Sequence, residues 1–286
     1  MKIAITGSSG LLGSTFLSFF KKEKIDFFTV DRKDYSPKNP LSEIVDYFKS
    51  NKTSIIIHCA ANTNVEFCEK NEEQCFYDNY SLTEVLTRVS KKLNLKLVFI
   101  SSTGVYGNYQ SNPYIESDNT QPTTIYHKSK LLAEKMIEEE LQNYLIVRTG
   151  WLFGGTVDSK KNFVVNRFIE AKKSNRNIFS NIDQRGNPTY TNDLVNNIYK
   201  LIENNVIGLF NCVNKGDASR LDYVSEIINL FKFDVTVKGV EKSDFKRKAN
   251  VSDNEMALNN SLSEINLDHM PRWELSLKKY ILSLKL

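Results

Sequence analysis

The first half of the chain alternates short apolar runs with longer stretches in which apolar residues recur every three or four positions. Lys2 to Ile5, Phe27 to Val30, Ser54 to His58, Leu97 to Ser101 and Tyr144 to Val147 are β-rich, and several are almost wholly apolar, as strands covered on both faces must be. Between them, Leu11 to Phe20, Glu72 to Lys92 and Lys128 to Leu141 carry the helical period. Strand, helix, strand in this order predicts an α/β fold, a doubly wound parallel sheet with crossover helices. After Val147 the rhythm changes. Helices are predicted over Asn162 to Lys173, Asp193 to Glu203, Asp222 to Phe231 and Trp273 to Leu284, with shorter strands such as Leu209 to Val213. The expected organisation is a sheet domain over 1–150, completed by a segment returning near 188–215, and a smaller C-terminal lobe drawn mainly from 151–286. No fixed-period repeat interrupts this pattern, and the stretch Lys242 to Lys248 reads as solvated loop.

Composition narrows the classes. The length of 286 residues allows one large unit or two modest ones, and 41% apolar with 25% charged residues excludes disordered and collagen-like chains. A net charge of +4, from 38 Lys and Arg against 34 Asp and Glu, is too mild for a nucleic-acid binder. No apolar run approaches the ~20 residues of a membrane span. Met1 leads straight into a strand and a glycine turn, without the apolar stretch and small-residue site of a leader, so a cytoplasmic address is expected. Cys59, Cys68, Cys75 and Cys212 lack paired spacing and read as reduced thiols, with no metal site expected.

The candidate chemistry begins where the first strand ends, in Thr6-Gly7-Ser8-Ser9-Gly10-Leu11-Leu12-Gly13. Gly7 suits a tight turn, Gly10 a close backbone approach to a pyrophosphate, and Gly13 close packing of helix on strand. The following helix offers its free N–H groups to the anion. A Rossmann-type dinucleotide site follows. Asp31, ending the second strand, can accept both ribose hydroxyls of NAD(H). Arg32 beside it can hold the 2′-phosphate of NADP(H), so the coenzyme is open between the two. A further strand stops in Ser101-Ser102-Thr103, and open α/β sheets bind ligands at that edge. Tyr126 and Lys130, four apart on a predicted helix, share a face. An ammonium beside a phenol is expected to lower its pKa toward that of a working acid/base for an alcohol–ketone pair, with Ser102 bonding the same oxygen.

Gly7, Gly10, Gly13, Ser102 and Tyr126-x-x-x-Lys130 together resemble an extended short-chain dehydrogenase/reductase. Three further segments, Ala60-Ala61-Asn62-Thr63-Asn64-Val65-Glu66, Arg148 to Gly154 and Asp183 to Thr191, are similar to the dTDP-4-dehydrorhamnose reductase branch. The resemblance implies NAD(P)H-dependent reduction of the C4 ketone of a nucleotide-linked 4-keto-6-deoxy sugar, with Ser102, Tyr126 and Lys130 catalytic. It further implies cofactor contacts from Gly7, Ser9, Gly10, Leu11, Leu12, Gly13, Asp31, Arg32, Ala60, Ala61, Asn79, Tyr126 and Lys130, with Asn79 fixing the crossover helix near the active site. Thr103, Trp151, Arg185 and Pro188 are the implied substrate contacts, Trp151 either as a platform for the sugar or as core packing between the lobes, and a homodimer is the expected assembly. The chain departs from the branch at Ser101-Ser102-Thr103-Gly104-Val105-Tyr106, where members usually carry Ser-Thr-Asp-Tyr-Val-Phe. Aligning on Val105 gives Ser102 the catalytic hydroxyl, with Thr103 the alternative if the strand end slips by one. Two other readings stay open: a nucleotide-sugar 4-epimerase or dehydratase on the same scaffold, and a non-catalytic NADP-binding subunit like the regulatory subunit of methionine adenosyltransferase. His58 reads as a satisfied core group, and His127 as pointing to another helix face than Tyr126.

Overall fold

A computed structural model describes residues 1–159, 162–174, 176–245 and 247–284. Six parallel strands form the main sheet: β1 (Ile3–Thr6), β2 (Phe27–Val30), β3 (Ile55–His58), β4 (Lys96–Ser102), β5 (Tyr144–Thr149) and β6 (Gly208–Asn211). Across the sheet they run β2-β1-β3-β4-β5-β6. The chain therefore winds one way from β1 to β2 and the other way from β3 onward. A crevice opens at the strands' carboxyl ends where the winding reverses, between β1 and β3.

Alternation within the apolar strands feeds two cores. Ile3, Ile5, Ile57, Val98 and Val147 face α1 (Leu11–Glu23) and the helix Thr191–Glu203, meeting Phe16, Phe20, Leu194 and Ile198. Ala4, Ile56, Leu97, Phe99 and Ile146 face the opposite layer, meeting Phe48, Leu86, Val89, Ala133 and Ile137. Phe48 belongs to Leu41–Ser50, a helix outside the sequence-based expectation. The helix expected over Glu72 to Lys92 is divided: Glu72–Phe76 and Leu82–Leu93 are α-helical, and the turn between them, Tyr77–Ser81, is a π-helix. The wider turn buries both Asp78 and Asn79, a placement that regular α-geometry, 100° per residue, would make harder.

The strand expected over Leu209 to Val213 lies at the edge of the main sheet, beside β5, and the helix Thr191–Glu203 packs on α1. The C-terminal lobe is built from short pairings, Asn177–Asn181 with Thr236–Val240 and Arg185–Gly186 between Ala218–Ser219 and Asn254–Glu255. Its core gathers Trp151, Phe153, Tyr190, Tyr223, Trp273 and Tyr280. Within the stretch read as solvated loop, Lys242 starts a 3₁₀ turn and its Nζ donates to Val251 O (2.6 Å) and Asp253 Oδ1 (2.9 Å), while Lys246 lies outside the described residues.

The helix that carries Tyr126 and Lys130, Ile125–Glu140, is locked to β5 by a buried ion pair. Arg148 Nη2 donates to Glu134 Oε2 (2.7 Å) and Nε to both carboxylate oxygens (3.1 and 3.2 Å), with the guanidinium over the Tyr106 ring. Glu134 stands one turn beyond Lys130, so this pair fixes the height of the helix against the sheet. Removing one partner strands a buried charge, which typically costs about 3–5 kcal/mol. Glu134→Ala is expected to lose roughly that amount in urea unfolding, and Arg148→Met added to it is expected to recover part of the loss; a Glu134→Ala protein of unchanged midpoint would refute the assignment.

Candidate active site

The glycines of the first turn serve different neighbours. Gly7 has φ +68°, and a Cβ there would lie 2.6 Å from the Ala60 nitrogen, so the end of β1 and the segment after β3 can touch only without a side chain. A Cβ on Gly13 would lie 2.1 Å from Gly7 O. Gly10 is exposed, and its added Cβ would meet only Gly7 O, at 3.2 Å. Its bareness therefore leaves the surface open outward, as a cradle for a pyrophosphate requires. Gly10 also precedes α1 with no side-chain cap, so first-turn N–H groups are left for an anion. Ser9 is exposed and Leu11 partly so, whereas Leu12 and Gly13 are buried and can contribute only through the backbone. The turn fits the phosphates of a dinucleotide.

Asp31 is exposed at the end of β2. Arg32 donates to Asp78 Oδ1 (3.0 Å), a carboxylate that also takes Asn62 Nδ2 (3.0 Å) and Gln74 Nε2 (3.2 Å). The π-turn thus fixes the arginine beside the crevice. Its neighbour Asn79 is fully buried; its Oδ1 accepts from Asn62 N (2.7 Å) and its Nδ2 donates to Asn62 O (3.2 Å) and Ser129 Oγ (3.2 Å). Asn79 therefore orients the Ala60–Asn62 segment and the Tyr126 helix, the positioning role expected for it near the active site. Ala60 is buried and donates its N–H to Thr6 Oγ1 (3.3 Å), and Ala61 is partly exposed.

His58 is a core group. Thr83 Oγ1 spends its proton on Asn79 O (2.7 Å), so it accepts from His58 Nε2 (3.0 Å), and Nδ1 in turn accepts from Thr6 Oγ1 (2.6 Å). Burial, with the Lys130 and Arg32 charges, pushes its pKa down to about 3.

At the end of β4, Ser102 is partly exposed, whereas Thr103 is 1% exposed and its Oγ1 lies where a Cβ on Gly150 would fall, 2.5 Å away. The hydroxyl open to a ligand is that of Ser102, which argues against both the alternative catalytic role and the substrate contact for Thr103. The departure at Gly104 has a steric cause: a Cβ there would lie 2.2 Å from His127 Nε2. Where the reductase branch carries tyrosine, glycine makes room for the His127 ring, whose Nδ1 lies 2.9 Å from Thr124 Oγ1. His127 thereby presses the Ser102 turn against the start of the Tyr126 helix. Thr124 caps that helix, and Glu69 Oε1 accepts from Ile125 N (2.7 Å). No motif marked Glu69 beforehand, because its partner is 56 positions away.

Electrostatics reverse one expectation. Burial raises the pKa of Tyr126 above the ordinary tyrosine value, and Cys68, Cys75 and Glu255 push the same way. Lys130, 2% exposed, is pushed down to about 7 by burial, against the pull of Glu134, and its Nζ sits 3.8 Å above the Phe99 ring. The walls of the site outweigh the ammonium, and the phenol is held protonated.

The residues expected to meet a substrate are differently placed. Trp151 is 9% exposed, with a positive φ of 48°, Gly186 packed on its indole and the Arg220 guanidinium 3.4 Å from a ring centroid. A ring so enclosed braces the lobes, the packing reading of Trp151, and little of it is left open to a sugar. Arg185 is exposed and ion-paired to Asp217, and Pro188 is buried. The Asp183 to Thr191 segment works through other atoms: Asn187 Oδ1 accepts from Ala257 N (2.8 Å) and Gln184 Oε1 from Arg220 Nε (3.2 Å). These bonds bring Arg220 and Glu255 to Trp151, whose Nε1 donates to Glu255 Oε2 (2.6 Å). Neither Arg220 nor Glu255 was marked by any local pattern.

Comparison with known proteins agrees with this fold. Residues 1–286 match the model of the RmlD substrate binding domain. A dTDP-4-dehydrorhamnose reductase of Mycobacterium tuberculosis is 28% identical over 258 residues, covering 87% of this chain and 82% of that one. A crystal structure of a dTDP-4-dehydrorhamnose reductase from Clostridium acetobutylicum superposes with TM-score 0.93 at 30% identity over the whole of both chains. One from Bacillus anthracis, in complex with NADP, gives 0.91 at 29% identity over 98% of each.

A lysine with a pKa near 7 when folded and near 10.5 when unfolded binds fewer protons in the native state between those values, so stability rises with pH across that window. Lys130→Met is therefore expected to melt several degrees above the parent at pH 6 to 7, with the gap closing as pH rises toward 10.5. A variant whose melting temperature is the lower one at pH 6 would contradict the burial cost.

Proposed function

The chain belongs to the RmlD substrate binding domain family, and we propose that it is an NAD(P)H-dependent reductase of the C4 ketone of a nucleotide-linked 4-keto-6-deoxy sugar. The observation that carries the reading is the partly exposed Tyr126, held protonated, on a helix that packs against the strand and turn carrying the open hydroxyl of Ser102, in a sheet whose first strand ends in a dinucleotide cradle. A bound dihydronicotinamide supplies the hydride.

Tyr126 donates its proton to the ketone oxygen as charge develops there, and burial has already set it in the form that can donate. Ser102 orients the same oxygen. Its Oγ accepts from Gly104 N (3.3 Å), which leaves the hydroxyl proton for the carbonyl. Lys130, four positions on along the same helix face, would hold the ribose end of the cofactor and supply positive charge when the phenolate forms. Asp31 and Arg32 flank the adenosine end, and Gly7 to Gly13 take the pyrophosphate. Thr103 and Gly104 stand where a dehydratase of this superfamily carries its acid/base pair, which favours simple reduction over dehydration.

Tyr126→Phe is expected to lower kcat at least about 100-fold, the usual worth of a positioned acid, while reduced-cofactor binding stays within a few-fold. Ser102→Ala should cost about 2–4 kcal/mol of transition-state stabilisation. Loss of reduced-nicotinamide absorbance with dTDP-4-keto-6-deoxyglucose measures both, and a Tyr126→Phe enzyme that kept most of its kcat would remove the assignment.

A further inference from the structure

The C-terminal lobe delivers one charged group to the site that the mechanism above does not use. Glu255 lies on the short strand Asn254–Glu255, which pairs with Arg185–Gly186 and packs on the Thr103–Val105 turn that follows Ser102. The side chain is 8% exposed. Its Oε2 is taken by Trp151 Nε1 (2.6 Å), and Oε1 accepts no hydrogen bond from any described residue. The Arg220 charge acts on Glu255, but the guanidinium is stacked on Trp151 with its Nε committed to Gln184 Oε1 (3.2 Å), and the two do not close an ion pair within 4.0 Å among the described residues. Burial raises the Glu255 pKa, against Arg220 and the Trp151 hydrogen bond.

A carboxylate brought this deep is expensive unless each oxygen finds a donor. The protein supplies one donor, from an indole that is itself wedged between Gly186 and Arg220 and cannot turn away. The second oxygen is left without a donor among the described residues, on a strand that packs against the turn after Ser102, and the charge of the carboxylate acts on Tyr126. Arg220 already balances the charge at longer range, so the matching ligand group is a neutral donor, and on a sugar that group is a ring hydroxyl. Resting on the reductase reading, we propose that Glu255 is a specificity-determining residue that accepts a hydrogen bond from a ring hydroxyl of the substrate sugar, with Trp151 holding the carboxylate in place.

The proposal separates sugar from nucleotide. Glu255→Gln keeps an oxygen for Trp151 Nε1 while removing the charge. Titration of full-length protein with dTDP and with dTDP-rhamnose, each in the presence of NADPH, is expected to show dTDP binding within about twofold of the parent and dTDP-rhamnose binding weakened tenfold or more, which is about 1.4 kcal/mol. In turnover the change should fall mainly on KM for the 4-keto sugar. Equal affinity of parent and variant for dTDP-rhamnose, or equal losses for both ligands, would overturn the role of Glu255. A parent protein that binds dTDP and no dTDP-sugar would overturn the reductase reading with it. Should Glu255→Gln fold poorly, the parent alone decides: dTDP-rhamnose analogues lacking the 2- or the 3-hydroxyl should include one that binds tenfold less tightly, and undiminished binding of both would refute the contact.

Discussion

A lysine ammonium held against a phenyl ring with almost no access to water is the constraint around which the site is arranged. Burying it costs stability, and its neighbours account for how the cost is carried. Glu134, one turn on, lends negative charge but is itself tied to Arg148, so it cannot collapse onto Lys130. The dry wall that depresses the lysine also raises the phenol of Tyr126. One environment thus sets both groups: the acid stays protonated, and the lysine lies close to its titration point, where a nearby negative charge decides its state.

Holding that environment in register falls to residues that touch no reacting atom. Asn79 joins the segment after β3 to the Tyr126 helix through Asn62 and Ser129, and the π-turn that carries it also points Asp78 at Arg32. His127 fills the room left by Gly104 and couples the Ser102 turn to the same helix. Glu69 and Thr124 cap its first turn. In the second lobe, asparagines do similar work on irregular backbone: Asn187, Asn254 and Asn259 each bond main-chain groups from distant segments, which short strands cannot satisfy by pairing alone. Glu66 extends the bracing across the lobes, taking the N–H groups of Lys248 (3.0 Å) and Ala249 (3.1 Å).

Sequence alone determined the parts of this protein in which function is local. The near-continuous apolar runs specify strands buried on both faces. The glycine turn needs Gly7 and Gly13 for contacts that any side chain would block. The four-residue spacing of Tyr126 and Lys130 puts them on one helix face wherever that helix lies. Only the tertiary structure decided what depends on distant partners. Burial at the helix start, and not the adjacent ammonium, sets the pKa of Tyr126. Gly150 against Thr103 leaves Ser102 as the open hydroxyl. Gly186 and Arg220 enclose Trp151, and a strand more than a hundred residues further along the chain brings Glu255 to the same indole. Local pattern encodes backbone geometry and helix faces; charge, access and the neighbours of a side chain are set by contacts between segments that no spacing along the chain records.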